Sequence, residues 1–87
     1  DKFQKIEMQQ FTNNIKKRQK VLIVGAGRAC EIKLKVLSRI ECDITIVADQ
    51  FLCELPSDCT KINKTFDQLD YEFFQPFDLI YIAIKLD

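Results

Sequence analysis

The chain has no histidine and no tryptophan, two glycines, two prolines and a single methionine among its 87 residues. Each scarcity narrows the chemistry. Without histidine the commonest general acid–base side chain is missing, so any proton transfer falls to a carboxylate, lysine, tyrosine or cysteine. An excess of one charge is also absent: 13 Lys and Arg stand against 13 Asp and Glu. No global basic field recommends nucleic acid as a partner. No apolar run approaches the roughly 20 residues that cross a bilayer, and Asp1-Lys2-Phe3-Gln4-Lys5 lacks the pattern of a signal peptide. Cysteine is present four times, at Cys30, Cys42, Cys53 and Cys59, yet never as C-x-x-C. With no histidine beside them, these argue against a zinc site.

What is present is concentrated between Lys20 and Asp49, KVLIVGAGRACEIKLKVLSRIECDITIVAD. Val21-Leu22-Ile23-Val24 is an apolar, β-branched run of the kind buried on both faces of a parallel sheet. Gly25 permits a sharp turn at its end. Gly27 has no side chain, so a pyrophosphate can approach its backbone. A helix starting near Arg28, Ala29 and Cys30 then aims its free N–H groups and positive dipole end at that anion. Ile44-Thr45-Ile46-Val47-Ala48 reads as the next strand, and Asp49 follows it. Strand, glycine turn, helix, strand and acid is the layout of a dinucleotide-binding βαβ unit. Cys30 occupies the place of a third glycine. As a small, mildly apolar residue it suits the helix–strand packing that this position serves. A flavodoxin-like or response-regulator-like α/β domain with a glycine turn and no dinucleotide is the alternative.

Along the rest of the chain, Phe3, Ile6, Phe11 and Ile15 fit a loose helical stripe, ending in turn chemistry at Thr12-Asn13-Asn14. Lys16-Lys17-Arg18 and Lys20 read as a solvated basic turn. In the crossover helix, Cys30 to Ile40, the residues Ile32, Val36, Leu37 and Ile40 are expected to face inward, and Lys33, Lys35 and Arg39 to face water. Thr60 to Lys64 resembles a short third strand, Asp67 to Phe74 a short helix broken by Pro76, and Asp78 to Ile84 a fourth strand. The expected fold is therefore α/β: a Rossmann-like parallel sheet of about four strands with flanking helices, preceded by a lead-in over 1–19. One good helix and one short one cover a parallel sheet poorly, and the chain has no initiator Met. The first points to an N-terminal piece of a larger protein, the second to a fragment or a processed piece. A doubly wound pattern is usually intracellular, which implies a cytoplasmic location and four reduced thiols.

The residues VLIVGAGRACEIKLKVL, DITIVADQFLCEL and DLIYIAIKLD resemble the N-terminal domain of the precorrin-2 dehydrogenase, or siroheme synthase, family over roughly Ile15 to Asp87. Gly25 and Gly27 match that family's glycines, Ala29 and Cys30 its small residues, Lys33 its lysine, and Glu54-Leu55 its E-L pair. Ile84-Lys85-Leu86 departs from the family's small and acidic pattern. The resemblance implies NAD as cofactor and a tetrapyrrole substrate, with precorrin-2 oxidised to sirohydrochlorin. In some members iron is then inserted to give siroheme. It also implies a homodimer formed through regions absent from this chain, and Asp87 as the catalytic acid–base. The cofactor positions would be Gly25, Ala26, Gly27, Arg28, Ala29, Cys30, Asp49 and Ala83. The role of Asp49 follows from the βαβ layout, since the family often has Pro at this position: an acid at the end of the second strand would accept hydrogen bonds from the adenosine ribose and repel a 2′-phosphate. A non-catalytic NAD(H)-sensing module shares the glycine turn and the acid, and is the other function open at this point.

Overall fold

The computed structural model describes residues 2–9 and 18–86, with side chains over 18–83. Five strands form one sheet: β1 (Lys2–Gln9), β2 (Gln19–Val24), β3 (Cys42–Ala48), β4 (Thr60–Asn63) and β5 (Leu79–Leu86). Helix α1 (Arg28–Leu37) joins β2 to β3, and a 3-10 turn (Phe66–Gln68) with the one-turn helix α2 (Tyr71–Phe74) joins β4 to β5. The order across the sheet is β1-β5-β2-β3-β4. Strands β5, β2, β3 and β4 are parallel, which is the Rossmann-like arrangement, and the strand order reverses between β2 and β5.

Local sequence explains the parallel set. In β2 every residue from Val21 to Val24 is buried, and the side chains alternate between two cores. Val21 and Ile23 enter the cluster under α1, together with Ile46, Ala48 and Tyr81. Leu22 and Val24 enter the opposite cluster with Val47, Ile80 and Ile82. Period-2 alternation into two cores is what an apolar run with no polar face requires. Phe73, Phe74 and Phe77, from the segment around α2, pack against the second cluster.

Two expectations are corrected. The N-terminal stretch is a strand and not a helix over Lys2–Gln9. It runs antiparallel to β5, with Lys2 opposite Leu86 and Gln9 opposite Leu79; Phe11 and Ile15 lie outside the described residues. The physical reason is the free edge of β5, whose unpaired backbone groups this segment covers. The second correction concerns the rotation of α1. Its buried stripe is Cys30, Leu34 and Leu37, at 0, 9 and 3% exposure, whereas Ile32, Val36 and Ile40 stand 48, 52 and 54% exposed. Two apolar stripes overlap in this helix. The tight turn leading into it selects the one that begins with small Cys30. Lys33 accordingly leaves bulk water on one side, its Nζ 4.0 Å from the centroid of the Tyr81 ring, a cation–π contact.

The opposite end of the sheet is tied by a carboxylate. Asp78, 6% exposed, accepts a 2.8 Å hydrogen bond from the Lys20 N–H, and its own N–H donates to the Lys20 carbonyl at 2.8 Å. This double link sets the starts of β5 and β2 side by side. Arg18 does similar work at the start of β3, donating to Asp43 Oδ1 and to the Cys42 carbonyl, both at 2.9 Å. That pair is solvent-exposed and contributes little. Replacing Asp78 with Ala should therefore lower the unfolding free energy by about 1–3 kcal/mol by orphaning the Lys20 donor, and Asp78→Asn, which keeps an acceptor, should cost less. Urea unfolding of the intact chain measures this; a loss below about 0.5 kcal/mol for Asp78→Ala, within the range of ordinary surface changes, would contradict it.

Candidate functional site

The two glycines of the β2–α1 turn do different jobs. Gly25 has φ +110°, in the left-handed region. Its N–H donates to the Val47 carbonyl at 2.8 Å, which prolongs the β2–β3 pairing by one residue. A Cβ built on Gly25 would lie 2.1 Å from the carbonyl oxygen of Ala83. Glycine is thus required here by the protein itself. Gly27 is the N-cap of α1, with φ −104° and ψ −151°, a backbone any residue adopts. A Cβ there would meet nothing within 4 Å. The space over Gly27 is open, and a side chain would fill it.

That space belongs to a cleft of about 550 Å³ at the carboxyl ends of the parallel strands, within the roughly 300–1,000 Å³ typical of small-molecule sites. Helix α1 points its N-terminus into it with no side-chain cap on its first N–H groups. These donors and the helix dipole suit an anion. The charged lining is Arg28, Asp49 and Lys64, two cations against one carboxylate, and so has the same preference. On the far side, the loop after β3 is held by Leu52 N–H donating to the Ala26 carbonyl at 2.9 Å.

Of the positions expected from sequence, Gly25, Ala26, Gly27, Arg28, Asp49 and Ala83 all line this cleft. Ala29 and Cys30 do not. Cys30 is fully buried beneath α1, and burial pushes its thiol up to about 12. It stays neutral despite the helix N-terminus, and its side chain packs against the core. Any part it plays toward a ligand falls to its main-chain N–H. Asp87 lies outside the described residues. All four cysteines are free thiols.

The cleft also contains residues that local sequence does not single out: Gln50, Leu52, Lys64, Thr65 and Phe66. Phe66 lies edge-on to Phe74, their ring centroids 6.4 Å apart. Thr65 and Gln68 form a capping box, with the Thr65 N–H donating to Gln68 Oε1 at 2.8 Å. This lip reaches the cleft because β4 pairs in parallel with β3, Ala48 opposite Asn63. The Asn63 side chain completes the junction, its Nδ2 donating to the carbonyls of Ala48 at 3.1 Å and Asp49 at 2.9 Å. A turn-forming residue, Asn63, closing a short strand is the one local sign of this arrangement.

A family model described as NAD(P)-binding matches residues 14–86, and the chain belongs to that family. No curated protein and no solved structure matches it significantly. The cofactor of this domain is NAD(P), and the features above fit it: open space over Gly27, uncapped donors at the start of α1, and a cleft with a surplus of positive charge. No helix among the described residues is long and apolar enough to cross a membrane.

The glycines separate folding from binding. Gly25→Ala should destabilise the chain by more than about 2 kcal/mol through strain and the Ala83 contact. Gly27→Val should leave stability within about 1 kcal/mol but abolish calorimetrically detectable NAD binding. Retained NAD affinity in a folded Gly27→Val protein would contradict this placement of the pyrophosphate.

Proposed function

We propose that this chain is the cofactor-binding part of an NAD-dependent dehydrogenase acting on a tetrapyrrole, of the precorrin-2 dehydrogenase type. The observation that carries the cofactor half is the turn at Gly25 to Gly27: a fold-required glycine followed by one whose missing side chain leaves space directly before uncapped helix donors. The substrate half is supported by the resemblance of the glycine turn, the Lys33 position and the Glu54-Leu55 pair to that family. The bound cofactor supplies a hydride acceptor. The chain's own residues bind its phosphates and orient its adenosine, with the main chain of the turn holding the pyrophosphate and Asp49 accepting hydrogen bonds from the ribose hydroxyls.

The substrate would lie beyond the carboxyl ends of the strands, where open α/β sheets place their ligands. Asp87 directly follows β5 in sequence. With no histidine in the chain, a carboxylate is the natural acceptor for the proton released as hydride leaves, and partial burial would raise its pKa toward a useful value. Iron insertion, with ferrous iron as substrate, would be a second step for the same carboxylate.

Two outcomes follow. Asp49→Ser should relax discrimination against NADP by removing a like charge from the ribose site. An unchanged ratio of NAD to NADP affinity in Asp49→Ser would contradict a ribose contact by Asp49. Asp87→Asn, tested in the full-length protein by NAD-dependent appearance of sirohydrochlorin absorbance, should lower turnover by roughly two to four orders of magnitude with NAD affinity nearly intact. Wild-type turnover in that variant removes Asp87 from the chemistry. NAD binding without turnover in the wild type favours the sensing module, a reading that the Ile84-Lys85-Leu86 departure supports.

A further inference from the structure

The carboxyl ends of β3 and β4 set two opposite charges side by side. The register pairs Ala48 with Asn63, so the next residues, Asp49 and Lys64, leave the two strands as neighbours. The junction is stitched by main-chain and amide bonds: Lys64 N–H donates to the Ala48 carbonyl at 3.1 Å, and Asn63 Nδ2 donates to the Asp49 carbonyl at 2.9 Å. Both side chains are exposed and both line the cleft. Among the described residues no ion pair joins Lys64 to Asp49, so the Lys64 ammonium is not committed to that carboxylate. The third charged residue of the cleft, Arg28, sits at the first position of α1 beside Gly27, at the pyrophosphate end.

We propose that Lys64 is a specificity-determining residue for the 2′-phosphate of NADP, opposing Asp49 in the choice between the two cofactors. This rests on the dinucleotide reading given above. An acid at the end of the second parallel strand repels a 2′-phosphate and accepts from a 2′-hydroxyl. An ammonium on the adjacent strand end meets a phosphate with a charge-assisted hydrogen bond, stronger than any it makes to a neutral hydroxyl. With both present, the discrimination set by Asp49 is partly offset. Removing one member of the pair leaves the other unopposed. Because the link from residue 64 to Ala48 is made by the main chain, truncating the lysine leaves the strand junction in place.

The test is calorimetric titration of NAD and NADP into the intact chain, as wild type, Lys64→Ala, Lys64→Arg and Asp49→Ser. The wild type should bind both, NADP more weakly but within about tenfold of NAD. In Lys64→Ala the NADP affinity should fall at least about tenfold more than the NAD affinity. Lys64→Arg should restore most of that difference, and Asp49→Ser should bind NADP more tightly than NAD. The NADP affinity should also fall more steeply with salt than the NAD affinity, a difference that Lys64→Ala should shrink. Equal loss for both cofactors in Lys64→Ala, or no NADP binding by a wild type that binds NAD, overturns the assignment of Lys64 and leaves the dinucleotide site standing. Binding of neither cofactor by the wild type overturns both.

Discussion

The structure turns on the close passage of the Gly25 backbone beside the Ala83 carbonyl. There β2 has β3 on one side and β5 on the other, and the chain must leave the sheet at once to start α1. A side chain at residue 25 would stand 2.1 Å from the Ala83 oxygen. Only glycine allows the three strands to keep their pairing up to their ends while the chain turns with positive φ. From that turn follow the direction of α1, the choice of its buried stripe, and the opening of its first N–H groups onto the cleft. The site is thus a product of the turn and the strand order, with few side chains devoted to it.

That origin explains which parts could be read from sequence. The parallel strands announce themselves in Val21–Val24 and Ile44–Ala48, because a strand buried on both faces has no polar face to confuse the pattern. The glycine turn and Asp49 are legible because their spacing lies within one βαβ unit. The strand at Lys2–Gln9 is not, since what makes it a strand is the free edge of β5, far along the chain. The rotation of α1 is equally hidden: stripes through Cys30 and Ile32 are both helical in period, and tertiary packing decides between them. Lys64 and Phe66 reach the site through the register of β3 with β4, information that no local window contains.

Cys30 shows how a single residue ties packing to binding. It lies where the helix must approach β2 closely, and it is fully buried. The positive end of a helix ordinarily favours a thiolate. Here burial prevails, with the thiol held neutral up to about 12. For this acidic group a raised folded-state value means that its contribution to stability is complete below about pH 9 and is lost as pH climbs toward 12. The chain therefore has a neutral, well-packed residue directly behind its anion-binding turn, with the Cys30 thiol buried away from the cleft.

The central claim is that the N-terminus of α1, opened by Gly27, receives the pyrophosphate of a dinucleotide. Its most direct test is a titration of the isotopically labelled chain with NAD, followed through its backbone amide resonances. The account predicts that the amides of Gly27, Arg28, Ala29 and Cys30 shift most, with smaller changes at Asp49 and Lys64. Saturable shifts confined to other parts of the sheet, or none at these amides, would contradict it.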